Sequence, residues 1–451
     1  MRSLRTSSPL RWPDLRGAAV GVWGVGVEGR ATLAELGVLG IEAAVVVDDR
    51  PPLDLGRQIL PTSAVGSMEA LARCEVVVKS PVISRYREDV RALEDAGVAV
   101  VGGLGLWLET TGSDRVVGIT GTKGKSTTTS IAGHLAAGLG VACGIGGNIG
   151  QVPWDPAAPT DVELWVIEVS SYQATDLWSS PAVVGVTSLH PDHLLWHGTV
   201  DRYYDDKLSI CGRPGARVTI ANGTDERLRA RAAQLTPGPV WVDDPDEATS
   251  WVGALGLRGR HNLINAVIAA RCLAAAGVPG AEDPAKLAAA AGGYRPLPNR
   301  LETVDVVCGV EYVDDSLSTN VLPAIAAVEV FQGRPLVLLA GGQERNIDYA
   351  PLGRYLAGRA APTLVLTLPD NGPRITNAVT AQGGHAEDCA DLHEAVLRAA
   401  AWTPPGGVVL LSPAAASFGR FGSYKERSTA FRSLVASLAA VNAGEIPGGG
   451  G

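Results

Sequence analysis

The chain has 451 residues, 46% of them hydrophobic and 19% charged, with a net charge of −9. That length exceeds one core and points to about three domains. The composition excludes a disordered chain, and the acidic balance excludes the basic face a nucleic-acid partner requires. The cysteines (Cys74, Cys143, Cys211, Cys272, Cys308, Cys389) form no C-x-x-C pair, unlike a zinc site or a disulfide framework. The basic start MRSLRTSSPLRW lacks an apolar signal core, and no apolar run is long enough to span a bilayer. A soluble, cytoplasmic protein that binds no membrane is the expectation.

In chain order, Ala18 to Gly24 reads as a strand, followed by the turn GVGVEG from Gly24 to Gly29 and a helix from about Arg30. A second strand, Glu42 to Val47, ends in Asp48 and Asp49. A G-x-G-x-x-G turn with an acid about twenty positions later is the pattern of a dinucleotide-binding βαβ unit. The loop could serve NAD, another nucleotide or only helix–strand packing. Further strands, Glu75 to Lys79 and Val98 to Val101, precede Ser80-Pro81 and Gly102-Gly103, and a first domain covers residues 1–108.

The next stretch, GITGTKGKSTTTS from Gly118 to Ser130, carries the strongest chemical signal. A β-branched run, Arg115 to Thr120, predicts a buried strand, and a helix is expected from Lys125 to about Ala137. Between them Gly121 and Gly124 let backbone N–H groups approach phosphate oxygens at a helix start. Lys125 would reach the outer phosphates, and the hydroxyl of Ser126 or Thr127 would ligate magnesium. Ile119 stands where the full G-x-x-x-x-G-K-[ST] loop has its first glycine, so this is a shortened variant of a nucleoside triphosphate site.

Strands are then expected at Gly144 to Ile145, Leu164 to Val169, Val183 to Ser188 and Arg217 to Asn222, giving a mostly parallel, helix-covered sheet in a domain over 109–298. Glu168, closing an apolar strand, would hold magnesium if that strand neighbours the phosphate loop; otherwise it is an ordinary strand-end acid. His190, Asp192, His193 and His197 do not complete a zinc set. They fit one imidazole helping to hold a hard cation, oriented by Asp192. Lys207, in YYDDKLSI, reads from spacing alone as a solvated lysine paired with Asp205 or Asp206. The third domain, 299–451, alternates strands at Val310 to Val313, Pro335 to Ala340, Leu364 to Leu368 and Val408 to Leu411 with helices. Asp314-Asp315 after its first strand reads in isolation as a turn cap. The tail GEIPGGGG carries no functional signal.

Taken together, these motifs resemble the Mur ligase family, the ATP-dependent amide ligases of peptidoglycan precursor synthesis, and most closely its glutamate-adding type. GTKGKSTTT (with Gly121, Thr122, Lys123, Gly124, Lys125, Ser126 and Thr127) is similar to the family's ATP loop, and Gly147-Asn148-Ile149-Gly150 to its GGNIG segment. Glu168 to Gln173 matches E-x-SS-[FY]-Q, and Asp192-His193 with Lys207 matches DH…K. His261-Asn262 with Asn265-Ala266 matches HN-x-x-NA. Asn299-Arg300-Leu301-Glu302, Asp315 through Thr319-Asn320, and Leu411 through Ser417 match motifs of the C-terminal domain.

The resemblance implies an α/β fold of three domains: a Rossmann-like N-terminal domain binding a UDP-sugar, a central P-loop domain binding ATP, and a Rossmann-like C-terminal domain binding the amino acid. It implies ATP and two magnesium ions, one on Ser126 and Glu168, the other on His193 with a carbamylated Lys207. It gives Lys125, Glu168, His193 and Lys207 catalytic roles, and adds Asn265, Arg300 and Asp315 to the ATP site. Gly24, Gly26, Asp48, Arg50, Ser80 and Asn148 fall to the sugar nucleotide. Thr319, Arg345, Ser417 and Tyr424 fall to glutamate. The implied reaction joins glutamate to UDP-N-acetylmuramoyl-L-alanine through an acyl phosphate, in a monomer.

Some positions depart from the D-glutamate-adding pattern: Lys123 for asparagine, Pro191 for an acid, Leu317 and Arg345 for lysines, and Tyr424 for phenylalanine. Altered pocket chemistry with intact ATP chemistry favours L-glutamate, followed by an epimerase, over D-glutamate. An NAD-dependent oxidoreductase, a non-catalytic sugar-nucleotide sensor and a folylpolyglutamate synthase are the competing readings.

Overall fold

The computed structural model describes residues 9–52, 54–243, 249–345, 347–417 and 420–442; the expected tail from Gly444 lies outside them. Among these residues the strands form three sheets. The first comprises β1 (Val20–Trp23), β2 (Val45–Asp48), β3 (Leu60–Pro61), β4 (Val76–Lys79) and β5 (Ala99–Gly102), all parallel, in the order β3-β2-β1-β4-β5. The order reverses between β1 and β4, so their carboxyl ends open a crevice of the kind that binds nucleotides.

The second sheet comprises β6 (Val116–Thr120), β7 (Cys143–Gly147), β8 (Leu164–Glu168), β9 (Val183–Val186), β10 (Val218–Asn222) and β11 (Pro239–Val242), again all parallel, ordered β11-β10-β9-β6-β8-β7. Its central strands read VVGIT, LWVIE and VVGV and are buried along their length. Unbroken apolar runs of this kind suit parallel strands covered on both faces.

The third sheet comprises β12 (Glu302–Val307), β13 (Val310–Asp314), β14 (Leu336–Ala340), β15 (Thr363–Thr367), β16 (His385–Asp388) and β17 (Val408–Leu411), ordered β12-β13-β17-β14-β15-β16. Only β12, among its described strands, pairs antiparallel. The first two sheets belong to one compact unit, running to Leu255 and including Asn262–Tyr294. The third belongs to a second, with Gly256–His261 and the chain from Arg295 on. Each expected strand is found, Val408–Leu411 with both ends as expected and the others with ends shifted by at most three residues. Four strands had no sequence signal strong enough to register: β3 has two residues, β11 is only partly buried, β12 is an edge strand whose valines are interrupted by acids, and β16 is a polar edge strand. Among the described residues no helix is long and apolar enough to cross a membrane.

Candidate active site

β6 lies between β8 and β9, so the turns that follow three adjoining strands meet in one place. Ile119 pairs with Glu168 across the ladder, which satisfies the neighbour condition the sequence set for that acid. The helix Lys125–Gly138 starts at Gly124, whose φ of +92° is left-handed. A Cβ there would stand 2.6 Å from Asn265 Oδ1, so the glycine lets Asn265 lie directly against the loop. Thr122 is pinned by four bonds: its N–H donates to Ser188 O, its hydroxyl donates to His190 O at 3.1 Å and meets Tyr203 OH at 2.9 Å, and its Oγ1 accepts from His190 N–H at 2.9 Å. Lys123 N–H donates to Ser188 Oγ at 2.9 Å. Thr127 is buried and Ser126 half-buried.

Lys125 Nζ donates to Thr122 O at 3.2 Å and stands 4.0 Å from Glu168 Oε1. Glu168 is 1% exposed. One of its oxygens accepts from Asn148 Nδ2 at 2.9 Å; the other, Oε2, is buried without a hydrogen-bond partner. An ionised oxygen in that state costs several kcal/mol unless a cation or donor meets it. The donor set therefore fits a hard cation brought in with phosphates. Asn148, assigned by resemblance to the sugar nucleotide, spends its amide on this carboxylate and holds it in place.

Two sequence readings need correction here. Lys207 is not a solvated lysine paired with Asp205 or Asp206. Its side chain is buried, its Nζ donates to Gly121 O at 3.0 Å, and it lies 5.0 Å over the Tyr203 ring. Asp205 instead pairs with Arg231. Burial, reinforced by the nearby charge of Lys125, pushes the Lys207 amine well below the ordinary lysine range. A neutral amine is the state that carbamylation requires.

Asp192, for its part, does not orient an imidazole. It lies 3.4 Å from Lys123 Nζ, and its contact with His193 Nδ1 is 3.9 Å, too long for a hydrogen bond. The oriented ring is His197, whose Nδ1 meets Asp206 Oδ2 at 2.6 Å and whose Nε2 meets Ser171 Oγ at 2.9 Å. His193 takes a left-handed backbone (φ +53°), rare outside glycine and asparagine, at the start of the short helix Leu194–His197. Partial burial and then the cations Lys207, Lys123 and Lys125 lower its pKa, against the pull of Asp192. A neutral ring nitrogen is thus available as a ligand. Among the described residues no cluster of three or more histidine, cysteine or acidic side chains forms a metal site without such help.

Sequence reasoning missed Tyr203, which packs against His193, His197 and Lys207 and bonds Thr122. The signal was available: Tyr203 and Lys207 are four apart on the helix Val200–Leu208 and so share a face.

The glycine turn after β1 divides its labour. A Cβ on Gly29 would stand 1.9 Å from Gly24 O, and one on Gly24 2.6 Å from Ser80 Cβ, so both serve close packing. A Cβ on Gly26 would meet nothing within 4 Å. Asp48 accepts from Val25 N–H at 2.7 Å and Arg50 N–H at 2.6 Å, so its carboxylate shapes the loop itself. Arg50 is exposed and Ser80 half-buried, its N–H donating to Trp23 O.

In the second unit Asp315 is buried beneath Ser318 and Ser412, whose hydroxyls donate to it at 2.5 and 2.7 Å. Burial pushes its carboxyl up to about 6, against those bonds and the Arg300 charge. Asp314 Oδ1 accepts from Ser316 N–H at 3.0 Å, the turn cap the sequence predicts, while its Oδ2 accepts from Asn299 Nδ2 at 3.0 Å and from Arg432, so the cap sits within a larger bonded network. Ser417 lines a cavity of about 50 Å³ with Gly341, Gly342 and the buried Arg427. Thr319, Arg345 and Tyr424 are not among the residues lining it; Arg345 is exposed and pairs with Gln343. Arg427 donates to Ser316 O at 2.9 Å, which sets a cation beside Leu317, where the resemblance expects a lysine.

Residues 119–252 match the model of the Mur ligase middle domain, and residues 299–415 that of the Mur ligase glutamate ligase domain. A protein of Micromonospora sp. named UDP-N-acetylmuramoyl-L-alanine--L-glutamate ligase is 38% identical over 95% of this chain and 99% of its own length. One of the same name from Xanthomonas euvesicatoria is 36% identical over 94% and 97%. Among solved structures, the UDP-N-acetylmuramate-alanine ligase MurC of Thermotoga maritima shares the fold with a TM-score of 0.58 at 16% identity, covering 93% of this chain and 99% of that one. The MurF ligase of Thermotoga maritima, solved with ADP, does so with 0.54 at 16%, covering 97% and 98%. With both domain models matched in order and relatives of this identity along nearly its whole length, the chain belongs to the Mur ligase family of ATP-dependent amide ligases.

Proposed function

We propose that the protein joins L-glutamate to UDP-N-acetylmuramoyl-L-alanine at the expense of ATP, releasing ADP and phosphate. The observation that carries this reading is Glu168, buried and half-satisfied, beside Lys125 at the mouth of the phosphate loop. In it residues 1–108 take the UDP-sugar through Gly24, Gly26, Asp48, Arg50 and Ser80. Residues 109–298 take ATP, with Asn265, and residues 299–451 contribute Arg300 and Asp315 to ATP and Thr319, Arg345, Ser417 and Tyr424 to glutamate.

Lys125 leaves Thr122 O for the outer phosphates, and the N–H groups at the helix start receive their charge. The alanyl carboxylate attacks the γ-phosphorus, the bond to ADP breaks, and an acyl phosphate forms. The glutamate amine then attacks the acyl carbon, loses a proton, and expels phosphate. Ser126 and Glu168 would hold one magnesium ion, and His193 with carbamylated Lys207 a second; bound there, the metal neutralises charge on the phosphoryl group. The reading places a monomeric enzyme in the cytoplasm, with an epimerase acting after it.

The preference for L-glutamate draws on the names of the relatives and on the altered residues Leu317 and Arg345. Phosphate release with UDP-N-acetylmuramoyl-L-alanine, ATP and either isomer tests it. Turnover with L-glutamate is expected; turnover with D-glutamate alone reverses the isomer, and none with either removes the reading.

A further inference from the structure

The loop assigned to the sugar nucleotide holds an acid where a diphosphate is to sit. Glu28 is the second residue of the helix Val27–Val38, inside the glycine turn, and it is half-buried. A helix start attracts anions, so a carboxylate here occupies the field that the proposed function gives to the diphosphate. Two such anions sharing one cradle cannot both stay charged without a large repulsive cost.

The side chain is tied in place. Glu28 Oε1 accepts from Gln173 Nε2 at 2.7 Å, while Gln173 Oε1 accepts from Ser170 N–H at 2.9 Å. That chain of bonds joins the glycine turn to the residues just after Glu168. The charged groups facing Glu28 are Lys79, at the end of β4, and Asp176, beyond the short helix Ser171–Ala174. They pair with each other at 2.5 Å, so their fields at Glu28 oppose and largely cancel. Burial then dominates, and with Gln173 pulling the other way it raises the carboxyl from 4.5 to about 7.

We propose that Glu28 is a proton-linked specificity residue for the sugar nucleotide: its carboxyl takes a proton from solvent as the diphosphate binds, and donates it as a hydrogen bond to a phosphate oxygen. This rests on the assignment of Gly24 to Gly29 to the UDP-sugar. The free carboxyl is protonated below pH 7 and ionised above it, so binding is flat on the acid side. On the alkaline side it weakens by about tenfold for each pH unit.

The test is titration calorimetry of the whole protein with UDP-N-acetylmuramoyl-L-alanine at pH 6, 7 and 8, in buffers of different ionisation enthalpy. The diphosphate diester does not titrate in this range, so proton uptake reports the protein. The expected result is little uptake at pH 6, rising toward one proton per site at pH 8. In Glu28→Gln, whose amide keeps a hydrogen-bonding group for Gln173, uptake disappears and affinity no longer falls with pH. Binding by the unaltered protein with no proton uptake overturns the inference, whatever the variant does, and so does undiminished uptake in Glu28→Gln. Absence of binding at every pH removes the sugar-nucleotide assignment itself.

Discussion

Lys125 and Glu168 stand 4.0 Å apart, a loose pairing that leaves the ammonium on Thr122 O and one carboxylate oxygen bare. The bare Oε2 of Glu168 is poised for a cationic ligand. Lys125→Ala is expected to abolish phosphate release while leaving the sugar nucleotide bound, measured by turnover and calorimetry in parallel. Glu168→Gln removes charge without volume and should lower kcat/KM by roughly a hundredfold or more, about 3 kcal/mol of transition-state stabilisation. Its melting temperature should hold or rise, because the variant relieves a buried oxygen that has no partner at Oε2. Both residues were legible in the sequence because motif spacing fixes them. The partners of Lys207 were not, because the bond that buries it goes to a backbone carbonyl 86 positions away.

At the level of elements, the glycine turn after β1 separates packing from binding. Gly29→Ala drives a Cβ into Gly24 O and should destabilise the first unit by several kcal/mol, seen as a lower urea midpoint. Gly26→Ala meets open space at φ −66° and should unfold normally, losing affinity only for the sugar nucleotide. Equal destabilisation by both would make the turn a packing device alone. The parallel strands were readable because burial on both faces writes itself as unbroken valine, isoleucine and leucine. The edge strand β16 (HAED) carries mostly exposed polar residues, and β12 (ETVDVV) interrupts its valines with acids, so no unbroken apolar run marks either. The antiparallel pairing of β12 follows from the two-residue turn Cys308-Gly309, both left-handed (φ +50° and +76°), which returns the chain from Val307 to Val310.

Across the larger unit, the first two sheets are joined through Lys79 and Asp176, both with side chains almost wholly buried. Breaking such a pair strands a charge away from water. Asp176→Ala should cost about 3–5 kcal/mol in urea unfolding, and the double change Lys79→Met/Asp176→Leu should recover most of that loss. A cost in the double variant as large as in the single one would show that the pair does more than cancel its own burial. Organisation at this scale was legible only as an order of motifs, since no local pattern says that a lysine ending β4 meets an acid about a hundred residues on. The proposed chemistry depends on it, since in that reading a carboxylate delivered from the N-terminal sheet meets a phosphate held by the central one. Oxygen-18 in the alanyl carboxylate of UDP-N-acetylmuramoyl-L-alanine follows that meeting directly. The expected result is one labelled oxygen in each released phosphate, and unlabelled phosphate during turnover would contradict the acyl phosphate route.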